Sequence, residues 1–185
     1  MNSIESTTEI SGHLRQEELS NCWDSLALVL DREIAVYREL SELCLQERDV
    51  LVKQFSAQHL LENNSRKETI LLKAKMIDES RVKLVGRISE LLGISAEGVD
   101  LTTLIGYADA ATASVLRDLQ RRLRTVLEDV NDRNDQNKDL LNSSILYVQK
   151  SIDFISRLVA SQAGYGTDGE LKVAGTTGRI VCRKE

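Results

Sequence analysis

Two carboxylates on the first periodic segment are the first candidates for chemistry. Glu33 and Glu47 occupy positions of an otherwise apolar heptad seam. Inward-facing glutamates of helical bundles can hold metal ions when a Glu-x-x-His pair completes the site. No Glu-x-x-His occurs in this sequence. We therefore favour the simpler interpretation, in which each glutamate pairs with an arginine across a bundle or lies where the seam opens to water, and we predict no metal site.

A thiol nucleophile is the second candidate. Cys22 or Cys44 could in principle pair with His13 or His59, as in cysteine proteases. The same helix, however, uses its cysteines on its apolar seam, and the chain has no C-x-x-C motif. With Cys182 the three cysteines form an odd, widely spaced set that is typical of reduced structural thiols. Phosphate-loop, dinucleotide, zinc-protease and nucleophile-elbow motifs are also absent, so we predict a protein without catalytic activity or cofactor.

Composition identifies the elements that must position any functional residue. The 185 residues include no proline, only 4% aromatic residues and 29% charged ones. Proline breaks helix interiors, so its absence favours long helices and an all-α fold. The net charge of −5 argues against a nucleic-acid partner. We see neither an amino-terminal targeting signal nor an apolar run long enough to span a membrane, and these features predict a soluble cytoplasmic protein without membrane insertion.

Apolar periodicity predicts three long helices, at about 15–61, 65–92 and 109–162, after a disordered segment 1–14. The first carries a seam with alternating steps of four and three residues, which is typical of coiled coils. We place a break at 62–64, followed by a capping box of Ser65 and Glu68. Gly93 is predicted to end the second helix, and a short turn is expected at 100–106 after the cap Asp100.

The last predicted helix contains a polar window, Asn131–Asn137, that interrupts its apolar pattern. The window indicates either a stutter in one helix or a hinge between two helices, and we favour the stutter. After the helix, five of the ten glycines fall within 163–185. We expect this segment to be a flexible tail because glycine raises the entropy cost of ordering. The expected fold is an elongated antiparallel three-helix bundle or coiled coil with this tail.

The most informative stretch is the end of the last helix, where two neighbouring apolar stripes cover about half of the circumference. One stripe consists of Leu141, Ile145, Val148, Ile152, Ile155 and Val159; the other consists of Leu140, Tyr147, Phe154 and Leu158. A surface helix normally buries an arc of about 100° against its own core. Either both stripes are buried between the other two helices, or one face receives an amphipathic helix from a partner.

The order of several motifs resembles the FlgN family of flagellar type III export chaperones. These motifs are Tyr37, Leu40, Leu43, Glu47-Arg48 and Leu51; Lys67-Glu68 and Leu71-Leu72, with Arg81 and Leu84 beyond them; Asn134 and Asn137 before Leu140-Leu141; and then Tyr165. The resemblance covers roughly residues 19–166.

The resemblance implies an elongated helical chaperone that binds the carboxy-terminal helices of the hook-filament junction proteins FlgK and FlgL. It implies that the chaperone prevents their premature self-association and delivers them to the export-gate protein FlhA. By this resemblance the client would bind to Leu141, Ile145, Val148, Ile152, Ile155 and Val159. The gate protein would contact Tyr165. The tail after Gly166 is longer and richer in glycine and threonine than the family pattern.

A competing hypothesis is a coiled-coil structural or scaffold protein without a client. In that case the second apolar stripe would be covered by another copy of the chain in a symmetric homodimer.

Overall fold

The computed structural model describes residues 2–53 and 56–162, with side chains over 13–53 and 56–158. Within these residues the chain forms four helices and no strand: α1 (Asn2–Lys53), α2 (Ala57–Leu92), α3 (Leu101–Ile105) and α4 (Ala110–Gln162). The predicted all-α class is confirmed. The predicted tail, 163–185, lies outside the described residues.

The chain divides into two compact units, residues 1–138 and 139–185. In the first unit, side-chain contacts fix the direction of α2 against α1. Glu47 pairs with Lys67 at 2.5 Å and Glu33 with Arg81 at 3.2 Å, while Glu18 near the start of α1 meets Arg87 near the end of α2. Partner numbers rise along α2 as they fall along α1, so the two helices are antiparallel.

The part of α4 that belongs to the first unit runs parallel to α1. Asp31 pairs with Arg122 at 3.0 Å. Further along both helices, the Arg48 guanidinium donates a hydrogen bond to Gln136 at 2.9 Å. Partner numbers rise together along the two helices. α1 therefore has an antiparallel neighbour in α2 and a parallel neighbour in α4.

The apolar core of the first unit consists of two clusters. The larger one joins α1, α2, α3 and α4 and contains Trp23, Leu26, Leu30, Ile34, Ile88, Leu104, Ile105, Ala113, Leu116 and Leu119. The smaller one contains Leu40, Leu43, Ile70 and Val130. The predicted seam of α1 thus supplies both clusters.

The two seam carboxylates of α1 make ion pairs. Glu33 is buried beside Arg81, and burial raises the pKa of the Glu33 carboxyl while the guanidinium partly offsets this rise. Glu47 pairs with a lysine, Lys67, rather than the arginine that we expected. Its Oε2 also accepts a hydrogen bond from Asn137 Nδ2 at 2.7 Å.

Two buried asparagines hold α2 and α4 to α1 at this level. Asn63 Nδ2 donates to the Leu43 carbonyl at 3.0 Å, and Asn137 Nδ2 donates to the next carbonyl, that of Cys44, at 2.7 Å. Together with Glu47 and Lys67 these two residues form what we call the polar layer. Because buried polar groups need partners, the layer fixes the relative register of the three helices.

The boundary between α1 and α2 differs from the prediction. α1 ends at Lys53, and α2 begins after Ser56, whose side chain accepts a hydrogen bond from the His59 amide at 3.4 Å. The predicted break at 62–64 and the capping box of Ser65 and Glu68 are wrong, because both lie inside α2. Asn63 is tolerated there since its amide bonds across to α1.

The amino terminus differs as well. α1 begins at Asn2, whereas we expected 1–14 to be disordered. Once a helix is nucleated, each further residue adds a hydrogen bond without another nucleation step, so a packed helix can extend into a polar segment.

The other helix ends follow the sequence signals. Gly93 ends α2 with φ 72°, and the Asp100 side chain caps α3 by accepting from the Thr103 amide at 2.7 Å. Asp109 caps α4 by accepting from the Ala111 and Thr112 amides. α4 is helical without a break through 131–137, as the stutter interpretation predicted. No described helix is both long and apolar enough to cross a membrane.

The observed cap of α2 gives a first prediction. Replacing Ser56 with alanine removes the acceptor for the His59 amide and should lower the free energy of unfolding by about 1 kcal/mol. The matched change Ser65→Ala lies in the helix interior and should be neutral or slightly stabilising, because alanine has the higher helix propensity. Urea denaturation followed by circular dichroism measures both. A larger loss for Ser65→Ala would contradict the observed boundary.

Asp129 gives a pH-dependent prediction. The Ser41 hydroxyl, donating at 2.5 Å, and the Arg133 guanidinium at 2.7 Å lower the pKa of the Asp129 carboxyl. A lowered folded-state pKa adds stability above the unfolded value of about 3.9, and that stability is lost as pH falls through the folded value. Asp129→Asn should therefore lower stability at pH 7, and the difference from wild type should shrink toward pH 3. A constant difference across urea melts at both pH values would contradict this.

Candidate functional site

The candidate site is the part of α4 in the second unit. From here on, the seam means a row on α4 and no longer the apolar row of α1; it consists of Leu141, Ile145, Val148, Ile152, Ile155 and Val159. The steps of four and three residues between them place these residues along one side of the helix. The described side chains of the seam are exposed, Ile152 by 53% and Ile155 by 58%. Of Val159 only the helical backbone is described.

A second stripe adjoins the seam. Tyr147 is 74% exposed, Phe154 is 63% exposed and Leu158 is also exposed, whereas Leu140 is half-buried. We call these four residues the aromatic stripe. Three of the four side chains of the aromatic stripe are thus exposed, as those of the seam are.

Two serines lie between the seam and the aromatic stripe. Ser144 donates its hydroxyl to the Leu140 carbonyl and Ser151 to the Tyr147 carbonyl, each at 2.9 Å. Both hydroxyl protons are therefore engaged within the helix. The serines leave a low strip between two rows of large side chains, which suits the ridge of another helix. Sequence reasoning missed them, although their spacing of seven residues was a usable signal.

Charge is absent from this face. The charged residues of 139–158 are Asp139, Lys150, Asp153 and Arg157, two acidic and two basic. At 100° per residue they fall on the side of the helix opposite the seam. The face therefore presents apolar side chains and small polar ones without a net electrostatic preference.

The first half of α4 has the same apolar periodicity and a different environment. Leu116, Leu119, Val126 and Val130 are buried in the first unit. An apolar row that is buried over one half of a helix and exposed over the other is what a binding surface added to a packed scaffold would present.

The catalytic alternatives gain no support from the described side chains. Burial raises the pKa of the thiols of Cys22 and Cys44, which favours the unreactive protonated form. No described group of three or more histidine, cysteine, aspartate or glutamate side chains is arranged to hold a metal ion. Tyr165, the predicted docking residue, lies outside the described residues.

Comparison with known proteins gives one family. Residues 22–172, most of the chain, match the family model described as FlgN protein. No curated protein and no solved structure matches the chain. The matched range includes the seam, the aromatic stripe and Tyr165.

The exposure of the seam gives a prediction about stability. Ile152→Asp places a charge at an exposed position and should change the free energy of unfolding by no more than about 0.5 kcal/mol. Val126→Asp, on the same helix, buries an unpaired charge at a side chain that is 8% exposed, and should cost at least about 3 kcal/mol or prevent folding. Thermal and urea melts at low protein concentration compare the two. Similar losses would show that the seam is part of the core.

Proposed function

Because the chain belongs to the FlgN family, we propose that it is a cytoplasmic export chaperone for flagellar hook-filament junction proteins. In this proposal it binds the carboxy-terminal helices of FlgK and FlgL before export. It prevents their premature self-association and delivers them to the export-gate protein FlhA. The family supplies the general role of a flagellar export chaperone, and the seam and the aromatic stripe supply the surface.

The observation that carries the proposal is the exposed apolar face of α4. An amphipathic client helix would lay its own apolar side chains along the seam, at the spacing used in helix-in-groove recognition. Burying the exposed remainder of five or six large side chains on each partner would contribute on the order of 10 kcal/mol before ordering costs. That contribution is compatible with affinities between about micromolar and nanomolar.

The proposed mechanism is reversible binding without turnover. Covering the client's apolar helix removes the surface through which the client would associate with itself. No nucleotide is needed for that step, because burial of apolar surface supplies the free energy. A reversible contact also lets the gate release the client when a competing contact forms.

Delivery to the gate is assigned to Tyr165, which follows α4 and lies inside the family match. A docking residue beyond the client surface would let one chain hold a client and contact FlhA together. The family resemblance supports this assignment.

The substitution Tyr165→Ala should weaken the binding of FlhA without affecting the binding of the client.

Client binding can be tested with two matched substitutions on α4. Ile152→Asp puts a charge into the seam and should reduce affinity for the FlgK or FlgL carboxy-terminal segment at least about 100-fold, since an unpaired charge would be desolvated on binding. Leu146→Asp changes another aliphatic side chain, 56% exposed and on the opposite side of the helix, and should bind within about twofold of wild type. Isothermal titration calorimetry with both segments measures the difference.

Two outcomes would contradict the proposed function. One is a wild-type protein that binds neither segment at micromolar concentrations. The other is equal loss with Ile152→Asp and Leu146→Asp, which would show that the effect does not depend on the seam.

A further inference from the structure

We propose that the seam is also the contact through which this chain associates with further copies of itself, so that client and chaperone compete for one surface. The self-association follows from the seam alone. The competition rests on the function proposed above.

The spacing of the seam is that of a coiled coil. Leu141, Val148 and Ile155 occupy d positions, and Ile145, Ile152 and Val159 occupy a positions, with no break in the heptad. In parallel coiled coils, β-branched residues at a with leucine at d, as at Leu141, favour two strands, whereas Val148 and Ile155 at d admit a third strand. An assembly of two or three chains therefore fits this seam.

The positions that flank a coiled-coil seam decide which partners are rejected, and here none of them is charged. They are Asn142, Ser144, Gln149, Ser151, Ser156 and Leu158. Like charges at such positions would repel an identical chain, and opposite ones would select a different chain. The first half of α4 shows the contrast, because Arg122 there pairs with Asp31 of α1. The second half carries no such selection against another copy.

The length of the seam limits the strength of the contact. From Leu141 to Val159 the helix rises about 27 Å, less than three heptads. A contact of this length is at the small end of specific interfaces, where association is weak and transient. Weak association is what a competing client requires, because a tight homo-oligomer would keep the seam covered.

Because the client and a second copy of the chain would bind the same surface, the oligomeric state of the protein would change with the concentration of client. When clients are scarce, free chaperone covers its own apolar seam. When clients are present, each one that binds draws a chain out of the homo-oligomer by mass action. The exposed seam is then covered in either state.

Sedimentation equilibrium tests self-association without any client. Wild-type protein, from about 5 to about 500 µM, should pass from the 20.7 kDa monomer toward two or three times that mass, a range that brackets weak association. Ile145→Asp should remain monomeric throughout. Ser143→Asp adds the same charge at an exposed position on the opposite side of the helix and should associate like wild type. Circular dichroism of both variants checks that the helix content is unchanged.

A wild-type protein that stays monomeric at every concentration, or equal dissociation by Ser143→Asp, overturns the proposal. Adding the FlgK carboxy-terminal segment to the homo-oligomer then tests the shared surface. Conversion to a complex with one chaperone chain and one segment supports competition, and binding of the segment to an intact homo-oligomer refutes it. A segment that fails to bind while the homo-oligomer forms would refute the proposed function and leave self-association standing.

Discussion

The half-buried carboxylate of Glu47 constrains the architecture of the first unit. A charge among apolar side chains is tolerated only where its partners reach it, and here they come from two helices, Lys67 of α2 and Asn137 of α4. Asn63 and Asn137 add hydrogen bonds to adjacent carbonyls of α1. A shift of either helix by one turn would leave these groups unpaired. Apolar contacts hold the helices together, and the polar layer decides the level at which they meet.

Local sequence signals predicted the end of α2 and the start of α3, where the determining atoms are close in the chain. Gly93 and Asp100 act on amides or carbonyls within a few residues, and they end α2 and begin α3 as predicted. Asp109 caps α4 close to the predicted start of that helix, although the cap itself was not predicted. Asn63 shows where this reasoning fails. Its partner, the Leu43 carbonyl, lies 20 residues away on another helix. A local pattern predicts a break at such a residue, because asparagine is a poor interior helix former until a distant acceptor is available.

The candidate site was predictable in part for a related reason. The apolar periodicity identified the seam and the aromatic stripe. It also showed that the two together are wider than the apolar arc of an ordinary surface helix. Periodicity cannot tell an apolar row that is buried from one that is exposed, since the first half of α4 and its second half share the same steps. The difference depends on which neighbours pack against each half, and that is a property of tertiary structure. Ser144 and Ser151 escaped notice because their polar type conceals their place between two apolar rows.

The engaged hydroxyls of Ser144 and Ser151 have a consequence for recognition. With these protons bonded inside the helix and no charge on the face, Ser144 and Ser151 donate no hydrogen bond to a bound helix, and the seam offers it apolar side chains. It therefore discriminates by shape and by the period of apolar residues, and accepts many side-chain combinations that fill a similar volume. Partner genes can diverge under such a rule without compensating change in the chaperone. Degenerate recognition of this kind would allow one small protein to bind different helices in turn at the same surface.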